Sequence, residues 1–314
     1  MCQPLTVGYP APSASGRTAR LPGTATLRGY CPDWRTLAIA RRSDHRDYTK
    51  NHHGRKAMPG VTIMSVKGGV GGTTVTATLA ARLALDGQRV LVIDLCETNT
   101  LRLHLGMPWQ AQTGLLECLE TERHWREATW QSPEGAYFLP FGRGNLEVLR
   151  DHLARNPQWL ADQFQPLLDS DPALWLLIAV PPASAERLAQ AMSIASQLLL
   201  VTSTDPAAHI AVSREWPRVM AQMPSFPNAK LNLLVNRYTP GVALQDDLAA
   251  LLRLQYGEYC FPRFIPEDRR VSEALARGRT VASEALDSAV ATRIGALALW
   301  LKRRSTEDSR RAAP

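Results

Sequence analysis

A doubly wound α/β fold with a mostly parallel sheet is predicted for residues 58–304 of this 314-residue chain. Three observations predict it. Short, near-continuous apolar runs recur along the sequence, they alternate with helix-like segments, and the first run ends in a glycine-rich loop that opens a helix. Apolar runs without polar alternation suit strands buried on both faces, as in parallel sheets covered by helices. Ligands of such sheets sit beyond the carboxyl ends of the strands. Three of those ends carry informative residues, at 67–74, 94–99 and 179–182.

The elements follow in order. Val61–Val66 (VTIMSV) reads as the first strand, and Thr73–Asp86 reads as a helix with Val75, Leu79, Leu83 and Ala84 on one side. Arg89–Asp94 (RVLVID) is the second strand. Further strands are expected at Tyr137–Phe141, Trp175–Val180, Leu198–Ser203, Leu231–Asn236 and Cys260–Ile265. Helices are expected near 145–154, 158–169, 184–194, 206–221, 242–254, 268–277 and 284–303. Leu286, Val290, Ile294, Leu297 and Leu301 form an apolar stripe on the last of these, read as core packing rather than as a membrane-binding face. Nothing repeats internally.

Composition sets the class. At 45% hydrophobic and 21% charged residues the chain has the make-up of a soluble globular protein. The apolar run that ends with Leu174–Val180 falls far short of the roughly 20 residues a membrane span needs. The first 30 residues lack the apolar centre of a secretory signal. The five cysteines are far apart and include no Cys-x-x-Cys pair, so a reducing cytoplasm is the expected setting. The net charge of +7 belongs to residues 1–57, which hold ten Lys/Arg against three Asp/Glu. Residues 58–314 are neutral overall, so charge gives no support to nucleic-acid binding by the folded domain. Residues 1–57, rich in Pro, Ser, Gly and Arg, read as a disordered extension, and Met58 as a candidate true start. His45, His52 and His53 in that stretch have no further ligand at metal spacing. Residues 305–314 read as a flexible tail.

Lys67-Gly68-Gly69-Val70-Gly71-Gly72-Thr73-Thr74 lies between a strand and a helix. Glycines let the backbone curl so that its N–H groups face phosphates, the helix N-terminus adds positive potential, and a threonine there can ligate Mg²⁺. The stretch resembles the deviant Walker A loop of the MinD/ParA family of P-loop ATPases, KGGxGKTT. That resemblance implies ATP with Mg²⁺, and a cation at Lys67 that crosses a homodimer interface to the partner's nucleotide. It places Mg²⁺ on Thr73 and Asp94, and adenine beside Asn236 and Pro266, the latter within the segment Ile265-Pro266-Glu267-Asp268. Departures from the family pattern cluster at hydrolytic positions. Gly72 stands where the P-loop lysine belongs, Cys96 where the water-orienting aspartate belongs, and Ala179 where the Walker B aspartate belongs. Lys67 and Glu97 are the remaining weak candidates for a catalytic group.

Two further segments, Asp94-Leu95-Cys96-Glu97-Thr98-Asn99-Thr100-Leu101-Arg102-Leu103 and Phe138-Leu139-Pro140-Phe141-Gly142, resemble the cellulose biosynthesis (BcsQ) branch of that family. The branch implies a cytoplasmic protein held peripherally at the inner-membrane cellulose synthase complex with its small accessory subunits, and no specific nucleic acid. The alternatives are a partition ATPase of the ParA type that binds DNA, and a membrane-cycling ATPase of the MinD type.

Overall fold

The computed structural model describes residues 60–311, with side chains through residue 304. The expected extension 1–57, its three histidines and the start at Met58 lie outside the described residues. The chain opens with β1 (Gly60–Ser65), α1 (Gly72–Leu85), β2 (Val90–Asp94), α2 (Leu101–His104) and α3 (Leu115–Glu120). Next come β3 (Trp130–Gln131), β4 (Tyr137–Leu139), α4 (Leu146–Arg155), α5 (Trp159–Ser170), β5 (Trp175–Val180), α6 (Ala185–Met192), β6 (Gln197–Ser203) and α7 (Pro206–Gln222). The last elements are β7 (Lys230–Asn236), α8 (Ala243–Tyr256), α9 (Arg270–Ala276), α10 (Val281–Glu284) and α11 (Ala289–Arg311).

The sheet has seven strands in the order β3-β4-β2-β5-β1-β6-β7. Every pairing is parallel except the two-residue edge strand β3 on β4. All residues of β2, β5 and β6 are buried, which requires cover on both faces. One layer contains α1 packed on α10 and α11, and another contains α4 and α5 packed on α6. The doubly wound expectation therefore holds.

Three expectations are corrected. Cys260–Ile265 is not a strand: only isolated bridges form, Leu233 with Cys260 and Tyr238 with Pro266. Pro262 and Pro266 lack the N–H a ladder needs. The helix expected from 284 begins at Ala289, because the buried Ser288 hydroxyl accepts from the Ala291 N–H and caps it. Leu286 consequently leaves the stripe and is exposed, whereas Val290, Ile294, Leu297 and Leu301 are buried. That helix runs on to Arg311, past the end expected near 303.

Candidate functional site

The loop between β1 and α1 is shaped by glycine. Gly69 and Gly71 have φ of 83° and 90°, a region open to glycine at little cost. A β-carbon at Gly71 would collide with the Asn236 amide, and one at Gly72 with the Ser65 hydroxyl. The loop floors a cavity of about 590 Å³ at the carboxyl ends of the strands, within the usual range for ligand sites.

The structure brings most of the expected residues together there. Lys67, Gly68, Gly69, Gly71, Gly72, Thr73 and Thr74 line the cavity, as do Glu97, Asn236 and Pro266. Cys96, Ala179, Pro181 and Pro182 form the wall made by the ends of β2 and β5. Val70 is buried beneath the loop, and Asp94 is buried behind the wall rather than on it.

Asp94 is 1% exposed. Its Oδ1 accepts from the Cys96 N–H at 3.0 Å, and its Oδ2 is buried with no partner. Burial pushes the carboxyl up to about 7, against the pull of the bonds from Cys96. A buried acceptor lacking a donor suits a divalent cation, so Asp94 fits the implied Mg²⁺ on that count, and the half-buried Thr73 lines the cavity. Among the described residues no cluster of three or more His, Cys, Asp or Glu forms a separate metal cage. Burial, followed by the Asp94 charge, pushes the Cys96 thiol upward, which makes it a poor nucleophile.

Glu97 is committed elsewhere. Its carboxylate pairs with the buried Arg187 guanidinium, which also donates to the Leu95 carbonyl at 2.8 Å. Burial raises the Glu97 carboxyl, but bonds from its own N–H and from Arg187 outweigh it and hold the group below its ordinary value. A carboxylate so held is a weak base. Lys67 lies 3.8 Å from Asp205 Oδ2 and donates to the Gly68 carbonyl. Asp205 is itself engaged by the Ser203 hydroxyl and caps α7 through the Ala208 N–H.

Arg237 escaped the reading of the sequence. Its position directly after Asn236, at the end of a strand, was the available signal. Its guanidinium donates to the Gly69 carbonyl at 2.7 Å and grips both oxygens of Glu267. Asn236, expected to read adenine, lines the cavity and donates to the Val70 carbonyl at 2.9 Å.

The family described as cellulose biosynthesis protein BcsQ matches residues 58–301. The chain belongs to that family. It is 29% identical to the cellulose biosynthesis protein BcsQ of Escherichia coli over 245 residues, 76% of this chain and 92% of that protein. It is 30% identical to the chromosome-partitioning ATPase Soj of Thermus thermophilus, covering 72% of this chain and 88% of Soj. The solved fold of apo McdA from Cyanothece covers 77% of this chain and 99% of its own, with a TM-score of 0.64 and 22% identity. The cobyrinic acid a,c-diamide synthase of Mycobacterium smegmatis, solved with ADP and magnesium, covers 78% of this chain and 94% of its own, with a TM-score of 0.61 and 21% identity. The chain is thus a BcsQ-family protein with the P-loop fold of the MinD/ParA ATPases. No described helix is long and apolar enough to cross a membrane.

Proposed function

We propose that this chain is an ATP-binding dimeric switch that supports cellulose synthesis and secretion and turns nucleotide over slowly or not at all. The observation that carries the reading is a division within one cavity. The loop from Gly68 to Gly71 is curled by two left-handed glycines, while Gly72, Cys96 and Ala179 offer neither a cation nor a carboxylate to the same space. Backbone N–H groups of the loop bind the phosphates, Thr73 and Asp94 hold the ion, and Pro266 lies beside the base. Magnesium, when bound, neutralises charge on the phosphates. Glu97, the carboxylate next to Cys96, is held by Arg187 and so is a poor candidate to orient an attacking water.

The family supports a role at the cellulose synthase complex, with the protein in the cytoplasm and peripheral to the inner membrane beside small accessory subunits. Deleting the gene should abolish cellulose output and leave chromosome and plasmid partition intact. The opposite pair of phenotypes would favour the partition ATPase reading.

Lys67 supplies the dimer contact. In the isolated chain its ammonium rests near Asp205, and it is free to exchange that partner for the phosphates of a facing copy. Truncating one such charge in a desolvated interface costs about 2–5 kcal/mol. Sedimentation with and without ATP tests this. The wild type should dimerise only with ATP, and Lys67→Ala should stay monomeric yet folded. Dimerisation indifferent to both ATP and Lys67 would refute the switch.

A further inference from the structure

We infer that Asn236 and Arg237 are positioning residues that hold the phosphate loop in its anion-binding shape, an inference that rests on the nucleotide reading above. In an extended strand, successive side chains point to opposite faces. Here β7 ends at Asn236, and Arg237 adopts a φ of 57°. This turn lets two successive side chains reach one loop. Asn236 Nδ2 donates to the Val70 carbonyl at 2.9 Å, and Arg237 Nη1 donates to the Gly69 carbonyl at 2.7 Å.

The consequence follows from the planar trans peptide, in which the carbonyl and the next N–H point opposite ways. Fixing the carbonyls of Gly69 and Val70 fixes the directions of the Val70 and Gly71 N–H groups. The N–H groups of Gly68 to Gly71 donate to no other group among the described residues, so they remain available for an anion. The close fit of Gly71 against the Asn236 amide is a second sign that the loop is moulded on the end of β7.

Arg237 is in turn anchored. Glu267 accepts from its Nε at 2.7 Å and from Nη2 at 3.3 Å, and the Glu267 N–H donates to the Tyr238 carbonyl at 3.1 Å. The chain of contacts runs from the segment after Ile265, through one guanidinium, to the loop. Because position 72 is glycine, the loop has no lysine of its own there to draw phosphates in, and its shape depends the more on this brace.

The test compares binding of ATP and of tripolyphosphate, which has phosphates and no base, by calorimetry on the full chain. Arg237→Ala should weaken both ligands by the same factor, about tenfold or more, the size of one charge-assisted hydrogen bond. Arg237→Lys should recover part of the loss, since an ammonium can still donate to Gly69. Glu267→Gln separates positioning from simple attraction and stands in if Arg237→Ala fails to fold. Freed of its counter-ion, a guanidinium acting by charge alone would bind phosphates more tightly; a positioning guanidinium that has lost its anchor binds them more weakly. Weaker binding of both ligands by Glu267→Gln is the expected result. Tighter binding, or a loss confined to ATP, overturns the inference. Wild-type protein that binds neither ligand overturns the nucleotide reading itself.

Discussion

The two sides of the cavity differ in character. On the loop side, side chains from elsewhere in the fold set the direction of three carbonyls, those of Gly69, Val70 and Gly72. Val70 and Gly69 are braced from β7, and Thr76 ties its hydroxyl to the Gly72 carbonyl. The wall made by β2 and β5 is different in character. Ala179 pairs with Asp94 across the two strands and offers only a methyl. Asp94 itself is buried, with one oxygen unpartnered and its carboxyl pushed up to about 7 by burial. Cys96 lines the space without a charge, and Glu97 turns its charge to Arg187. The difference teaches that the loop is shaped by contacts of its own, separate from the side chains that β2 and β5 present to the cavity.

The largest effect should come from breaking the loop side. Gly71→Ala forces a left-handed backbone on a residue with a β-carbon, at about 1–2 kcal/mol. It also drives that carbon into the Asn236 amide, which puts at risk a buried bond whose loss costs about 1–3 kcal/mol. ATP affinity should fall about a hundredfold in calorimetry, while the far-ultraviolet dichroism stays native. Unchanged affinity would mean that the loop is not the binding element.

A smaller change sharpens the contrast. Gly72→Lys restores the missing cation, but its β-carbon meets the Ser65 hydroxyl. Turning that hydroxyl away is possible yet opposes the gain, so Ser65→Ala with Gly72→Lys should bind ATP more tightly than Gly72→Lys alone. One ammonium on phosphate should give roughly tenfold for the pair of substitutions. Neither variant should speed phosphate release, because Cys96 and Ala179 still face the site. Rapid turnover by Gly72→Lys alone would erase the distinction between the two sides.

The sequence made the loop side easy to read and the wall only partly so. Strands β1, β2, β5, β6 and β7 announce themselves because burial on both faces demands unbroken apolar runs, and the glycines of the loop announce their own backbone. Substitutions at Gly72, Cys96 and Ala179 are visible as departures from a pattern. What stays hidden depends on contacts distant in the chain. Arg187 lies 90 residues from Glu97, and nothing in the local pattern of α6 marks its guanidinium for burial. The brace from Arg237 to Gly69 spans 168 residues. The two-residue strand β3 is too short for any period to show, and Pro262 removed a ladder that the apolar run around it suggested.

The smallest expected effect separates the sides by pH. The β2 wall continues into α2, where His104 is 6% exposed, and burial pushes its imidazole down to about 4. Its ordinary value in the unfolded chain is about 6.5. Below that value the unfolded chain takes up a proton that the folded chain refuses, so stability is complete above pH 6.5 and declines as pH falls toward 4. At pH 5.5 the cost is about 1 kcal/mol, or a melting temperature lower by about 2–4 °C for a domain of this size. His104→Gln removes the titrating group, so its melting temperature should fall less than that of the wild type between pH 7.5 and 5.5, whatever its absolute stability. Parallel slopes for the two proteins would show that His104 is already accessible to protons in the folded chain, and that this side of the domain is looser than its burial implies.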